Sequence, residues 1–226
     1  TWTVEWLKNN FTEYYGDVIY ITANPLIAHI EVFGYKGSDH FFKIETVWKY
    51  GWDERLETVP PEQVTKATLR IKDEFPDKRL IIHFIQPHSP FIGKIKIIGR
   101  ERIPQRKGKK YGTKRVVGLE ALVREQGIPI HLLRAAYREN LKLVLKEVKE
   151  LINHLDGRII ITSDHGECLG EWFIYGHPRS VYIKELMEVP WLVIEKGNRK
   201  IIKKSKKEAI RQRIMRMKRL KRYTRK

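Results

Sequence analysis

Four short, almost wholly apolar runs constrain this chain more than any other feature: 17–22 (DVIYIT), 79–85 (RLIIHFI), 158–163 (RIIITS) and 189–195 (VPWLVIE). Runs of this length, rich in β-branched residues and bounded by turn formers, read as strands buried on both faces. Helical patterns alternate with them. A short helix is expected over 4–11, and Pro61 suits the first turn of a second helix over 61–75. A third, over 129–155, carries apolar residues at Leu133, Ala136, Tyr137, Leu141, Val144, Leu145, Val148, Leu151 and Ile152, the spacing of one helical face. Helix–strand alternation with all-apolar strands predicts an α/β fold, a mostly parallel sheet covered by helices on both faces. The 226 residues suffice for one such domain, placed at 1–197, and no internal repeat is visible.

Charge matters here through its distribution. The formal net charge is +18, and much of it is terminal: between 197 and 226 Lys and Arg dominate and Glu208 is the sole acid. A second basic run covers 94–114, inside a Gly- and Pro-containing excursion over 94–118 without usable period. Within the tail, Ile210, Ile214, Met217 and Leu220 recur at helical spacing, which predicts a basic amphipathic helix over 205–223, in a separate segment 198–226. Such a helix either docks on the sheet by its apolar stripe or meets an anionic membrane surface. No recognition motif accompanies the charge, so nucleic acid is not the expected partner. Abundant Ile, Lys and Glu, with 32% charged residues, lean toward a thermophile-like surface. The single cysteine, Cys168, rules out an internal disulfide framework and suits a reducing compartment. With neither a signal-peptide pattern nor a membrane-length apolar run, the expected location is cytoplasmic, membrane-peripheral if the tail helix meets lipid.

In open α/β sheets, ligands gather beyond the carboxyl ends of the strands. Three of those ends carry chemistry: one delivers Asn24, one His88 and one the pair Asp164–His165. The pair offers a hard carboxylate and an imidazole side by side, and Gly166 leaves room for a metal and an oxyanion to approach the backbone. Glu167 follows as a supporting carboxylate. His177 sits in a Gly- and Pro-shaped turn (YGHP), and with His88 it makes an anion clamp. The remaining histidines, His29, His40, His83, His131 and His154, read as structural.

These residues resemble a known family. Thr162-Ser163-Asp164-His165-Gly166-Glu167, then Leu169-Gly170-Glu171, Gly176-His177 and Glu188-Val189-Pro190-Trp191, is similar in order and spacing to the C-terminal signature of sulfatase-like members of the alkaline phosphatase superfamily. Gln86-Pro87-His88-Ser89-Pro90-Phe91 resembles that family's histidine motif after a core strand. Thr1-Trp2-Thr3-Val4-Glu5-Trp6 resembles the nucleophile segment of archaeal sulfatase-like sequences, with Thr3 at the matching position. The resemblance implies an alkaline-phosphatase-like sheet, a divalent metal (Mn, Zn, Mg or Ca) on Asp164 and His165, Thr3 as nucleophile, and His88, His177 and Asn24 as substrate-binding residues. Free amides at a helix start favour an anion there, although a threonine at that place is also an ordinary N-cap.

Two departures accompany the resemblance. The family's upstream strand, which ends in a metal-binding aspartate, has no counterpart in the sequence given, so a fragment or processed form is expected. Glu5-Trp6-Leu7 replaces the Pro-Ser-Arg or Pro-Ser-His that commonly follows the nucleophile. No cysteine occupies position 3, which argues against a formylglycine sulfatase and favours phosphorus. The expected activity is a metal-dependent hydrolase or transferase of phosphate, less so sulfate, esters, acting on an anionic small-molecule or glycan ester. The alternative is an inactive superfamily member binding a polyanion, nucleic acid or anionic membrane, through its basic tail.

Overall fold

The computed structural model describes residues 2–28, 30–97 and 119–196. His29, most of the basic excursion, the tail helix expected over 205–223 and the expected boundary at 197/198 lie outside these residues. The elements in order are α1 (Thr3–Asn10), β1 (Tyr15–Thr22), β2 (Phe41–Thr46), α2 (Pro61–Glu74), β3 (Arg79–His83), β4 (Phe91–Ile92), β5 (Lys96–Ile97), α3 (Leu119–Gln126), α4 (Ile130–His154), β6 (Gly157–Thr162), β7 (Cys168–Leu169), β8 (Tyr175–Gly176), α5 (Lys184–Met187) and β9 (Trp191–Lys196). No helix among them is long and apolar enough to cross a membrane.

The centre is a parallel three-stranded sheet in the order β2–β1–β3. β1 is its middle strand, and its alternating side chains enter two cores. Val18 and Tyr20 pack with Val4 and Leu7 of α1 and with Phe41 and Ile44 of β2. Ile19 and Ile21 pack with Val64, Ala67 and Ile71 of α2. A period of two on the strand thus sends alternate side chains into separate cores. Register places Thr22 level with Thr46 on one side and with His83 on the other, so the carboxyl ends of all three strands form one rim.

A third core forms where Phe91, Leu122, Val123, Leu133 and Ala136 meet, with Leu169 and Tyr175 of the β7–β8 hairpin packed against it. It joins α3, α4 and the short hairpins. Asn140 of α4, fully buried, donates through Nδ2 to the carbonyls of His88 (3.1 Å) and Pro90 (3.0 Å), while its Oδ1 accepts from the Ile92 amide (2.7 Å). One amide side chain thereby satisfies a turn that would otherwise bury unpaired backbone groups.

The expectation of a mostly parallel sheet holds for β1, β2 and β3 and fails for the later strands. β6 pairs antiparallel with β9, from Gly157–Lys196 to Thr162–Trp191, and shares no ladder with β3 among the described residues. β6 alternates between half-buried and exposed positions, and Trp191 and Leu192 of β9 are largely exposed. An apolar run tells that a strand forms but not which neighbour it takes, and here the neighbour reverses the direction. β2, read from sequence as part of a loop-rich stretch, was missed because FFKIET carries two charges in six residues.

Candidate active site

The rim of the parallel sheet and the end of β6 converge on one cluster. Thr3 is the first residue of α1, preceded by Trp2 in extended conformation. Its hydroxyl does not cap the helix; it donates to Asp164 Oδ2 at 2.7 Å and accepts from Asn24 Nδ2 at 3.3 Å. Asn24 is itself held just past β1, where its Oδ1 accepts from the Leu26 amide and its own amide donates to Thr22 Oγ1. Arg179, two residues beyond His177, stacks its guanidinium on Trp2 at 4.0 Å, tying the start of α1 to the His177 segment.

Asp164 and His165 follow β6 directly. Asp164 Oδ2 lies 3.5 Å from His165 Nε2 and 3.9 Å from His83 Nε2, in a pocket where each side chain is about one-seventh exposed or less. His83, read from the sequence as structural, therefore stands beside the carboxylate. The apolar run suggested a strand continuing to 85, but β3 ends at His83 itself, which places this side chain on the rim. Tyr20, fully buried, sets its hydroxyl 3.0 Å from His83 Nδ1, so Nε2 faces Asp164. His165 Nδ1 donates to the Gly166 carbonyl at 2.8 Å, which likewise directs Nε2 toward the carboxylate.

A second group lies alongside. His88, Glu167 and His177 bring their donor atoms within 4.8 Å of one another. His177 Nδ1 donates to Glu167 Oε1 at 3.2 Å, and His88 Nδ1 donates to the Ser89 carbonyl at 2.7 Å. Ring packing joins the two groups: His177 lies 4.2 Å from His165 and 4.9 Å from His88, centroid to centroid. The structure thus brings together Thr3, Asn24, Asp164 and His165, with His88 and His177 immediately beside them. Missed by the sequence reading were His83, Tyr20, the positioning role of Asn140 and the central place of Glu167. Only Glu167 carried a signal, its position directly after the Asp-His-Gly turn.

Electrostatics sharpen the arrangement. Burial alone would raise the pKa of Asp164, but His83, His165 and the Thr3 hydroxyl outweigh it and bring the carboxyl below its ordinary value. Glu167 behaves alike: burial opposes ionisation, while His88 and His177 prevail and lower its pKa. Burial lowers the pKa of His83 and of His165, against the pull of Asp164. At neutral pH the carboxylates are ionised and these two imidazoles neutral, the protonation states that bind metal. Burial pushes the Cys168 thiol up to about 11, which removes it as a nucleophile at neutral pH.

Gly166 is required by space. A Cβ there would lie 1.9 Å from the Glu185 carbonyl oxygen, and the Gly166 amide donates to the Leu186 carbonyl at 3.0 Å. The α5 segment therefore sits directly on the Asp-His-Gly turn. Between it and α1 opens a cleft of about 270 Å³ lined by Glu5, Trp6, Asn9, Asp164, His165 and Tyr182 among others. The Tyr182 hydroxyl donates to Glu5 across it at 2.5 Å.

No protein-family model matches the chain, and neither does any curated protein. Its structure is similar to a crystal structure of the soluble domain of lipooligosaccharide phosphoethanolamine transferase A from Neisseria meningitidis, with a TM-score of 0.50 and 16% sequence identity. The match covers 78% of this chain and 50% of that one, so the chain spans half the length of the structure it matches. At this identity the likeness establishes a common fold.

The donor atoms in the site also fit a divalent cation. Two anionic carboxylates, four imidazoles and a hydroxyl lie together in a mostly buried space, a set of nitrogen and oxygen donors of the kind divalent cations take. Fixed tautomers, set by Gly166 and Ser89 carbonyls, orient the imidazoles as supporting hydrogen bonds orient metal-binding histidines.

Proposed function

We propose that this chain is the catalytic part of a metal-dependent phosphoester transferase or hydrolase in which Thr3 is the nucleophile. The observation that carries the reading is the 2.7 Å hydrogen bond from Thr3 to Asp164, made across 161 residues of sequence by a threonine at a helix start. Trp2, not Thr3, holds the cap position, so the Thr3 hydroxyl is left to bond Asp164.

In this reading Asp164 and His165 hold one divalent cation, Mn, Zn, Mg or Ca, with His83 beside them. His88, Glu167 and His177 fit a second. Such ions, when bound, lower the pKa of a coordinated hydroxyl and neutralise charge on phosphoryl oxygens. Thr3 Oγ forms a bond to phosphorus as the bond to the leaving oxygen breaks, and its proton passes to solvent, Asp164 being a cation ligand in this reading. Asn24 Nδ2 keeps Oγ oriented, and the free amides at the start of α1 face the developing negative charge. Where His88 and His177 hold no cation, an Nε2 bearing a proton would instead bind a phosphoryl oxygen or protonate the departing oxygen. An acceptor hydroxyl or water then attacks the phosphothreonine, giving its proton to the group that protonated the departing oxygen, the Thr3 Oγ–P bond breaks, and a proton from solvent returns to Oγ. The phosphoethanolamine transferase of similar fold supports transfer to an acceptor hydroxyl, and hence an anionic lipid or glycan ester as substrate, over simple hydrolysis. The cleft lined by Glu5, Asn9 and Tyr182 gives the organic part of such a substrate a polar place beside the reacting centre.

The test is turnover of p-nitrophenyl phosphate, an aryl phosphodiester and an aryl sulfate, with and without Mn, Mg, Ca and Zn, by the full chain and by Thr3→Ala. The expected result is metal-dependent phosphoester turnover that falls by about 10³-fold or more in the variant. Absence of turnover with every metal would sink the catalytic reading and leave the polyanion-binding alternative.

A further inference from the structure

The β7–β8 hairpin hangs between two residues of the site: Glu167 immediately precedes β7 and His177 immediately follows β8. Its turn runs Glu171-Trp172-Phe173-Ile174, closed by the Ile174 amide donating to the Glu171 carbonyl at 2.8 Å. Both central residues are left-handed, with φ of 55° at Trp172 and 58° at Phe173. That is the conformation which tight hairpin turns assign to Asn-Gly, because a bulky side chain strains it. Two large aromatic rings occupy it instead, and they stand in solvent, with Trp172 72% and Phe173 90% exposed.

The tip is held firmly. Glu171 accepts from the Leu169 amide at 2.5 Å and from Arg134 of α4 at 2.7 Å, and the Gly170 amide donates to the Ile174 carbonyl at 3.0 Å. The Trp172 indole N–H donates to Glu185 at 3.3 Å. Ile130, itself 42% exposed, lies against Gly170 at the base and continues the apolar surface. A strained backbone that fixes two exposed rings, where a relaxed polar pair would serve folding better, marks a functional contact.

We propose that Trp172 and Phe173 form a membrane-docking tip that seats the site against an anionic lipid bilayer. The chemistry of the tip selects lipid over a protein partner. Two aromatic side chains offer roughly 300–500 Å², below the roughly 800 Å² per partner of a stable protein interface. Insertion into the headgroup boundary needs only a few such rings, and an indole with one polar edge belongs at that depth. The basic runs within 94–118 and 197–226, which carry the excess positive charge of the chain, draw it to an anionic surface before the rings engage. The proposal goes beyond the reaction argued above and stands without it.

The test is co-flotation of the full chain with phosphatidylglycerol–phosphatidylcholine vesicles and with phosphatidylcholine vesicles alone, beside the double variant Trp172→Asn/Phe173→Gly. The substitutions suit the left-handed turn, so the thermal midpoint should hold or rise. The wild type is expected to float with the anionic vesicles and the variant to partition about tenfold or more less. Turnover of a soluble aryl phosphodiester should be equal in the two. Brominated lipid should quench tryptophan emission in the wild type and much less in Trp172→Phe. Equal partition of wild type and double variant would show that charge alone carries binding, and would overturn the proposal, as would a wild type that does not float. Failure of the catalytic reading would appear separately, as absent turnover in a protein that still binds vesicles.

Discussion

Two strands that deliver site residues, β1 with Asn24 beyond it and β6 with Asp164 and His165 beyond it, look alike as sequence and differ as structure. DVIYIT lies at the middle of a parallel sheet, and its last five residues are buried. RIIITS runs in a two-stranded antiparallel ribbon and alternates half-buried with exposed residues, Ile160 being 42% exposed. The lesson is that the rigid half of the site is the rim formed by Thr22, His83 and Asn24. Asp164 and His165 are fixed from a different source: the α5 segment lying on Gly166, and hydrogen bonds to Thr3 and to the Gly166 carbonyl.

That contrast can be broken by stability measurements. Ile21→Ala, at a position with no exposure, should cost about 2–5 kcal/mol in denaturant unfolding. Ile160→Ala on β6 should cost under about 1 kcal/mol, and equal losses would erase the distinction between the strands. Asn140→Ala tests the opposite wall of the site. Removing the side chain leaves the Ile92 amide and the turn carbonyls unpaired, with an expected loss of about 1–3 kcal/mol and a disturbed His88. Turnover as well as unfolding should register it, and retention of both would show that the turn holds itself.

Acid should act more gently, and on the buried imidazoles first. His83 and His165 have folded pKa values below the ordinary 6.5, so the unfolded chain binds protons more readily than the folded one. Their contribution to stability is complete above pH 6.5 and is lost as pH falls from there through the lowered folded values. Asp164 and Glu167, also lowered, add a further loss below the ordinary carboxylate range. Thermal midpoints in chelator should therefore drop between about pH 8 and about pH 5, and a flat profile would remove the buried neutral imidazoles from the account.

How much of this was legible follows from what periodicity encodes. α2 and α4 emerge within a residue or so of expectation because their apolar faces repeat over many turns. Asn24, His88, Asp164 and His165 stood out by position beyond strand ends, His177 by its Gly–Pro turn and Thr3 by its resemblance to a nucleophile segment, and the structure sets them in two touching groups. His83 did not, since a histidine within an apolar run looks like core until the strand's end is known. β2 and the β7–β8 hairpin escaped because two- to six-residue strands carry too little pattern. The antiparallel pairing of β6 with β9 is invisible to any reading of single segments.

The central claim is that Asp164 and His165 from one sheet and Thr3 from the helix beside another make a single metal-dependent site. Calorimetric titration of the metal-stripped chain with Zn and Mn, beside Asp164→Ala, tests it most directly. The account predicts binding by the wild type and loss of the Asp164 site in the variant, together with turnover. An unchanged stoichiometry and affinity in Asp164→Ala would contradict it.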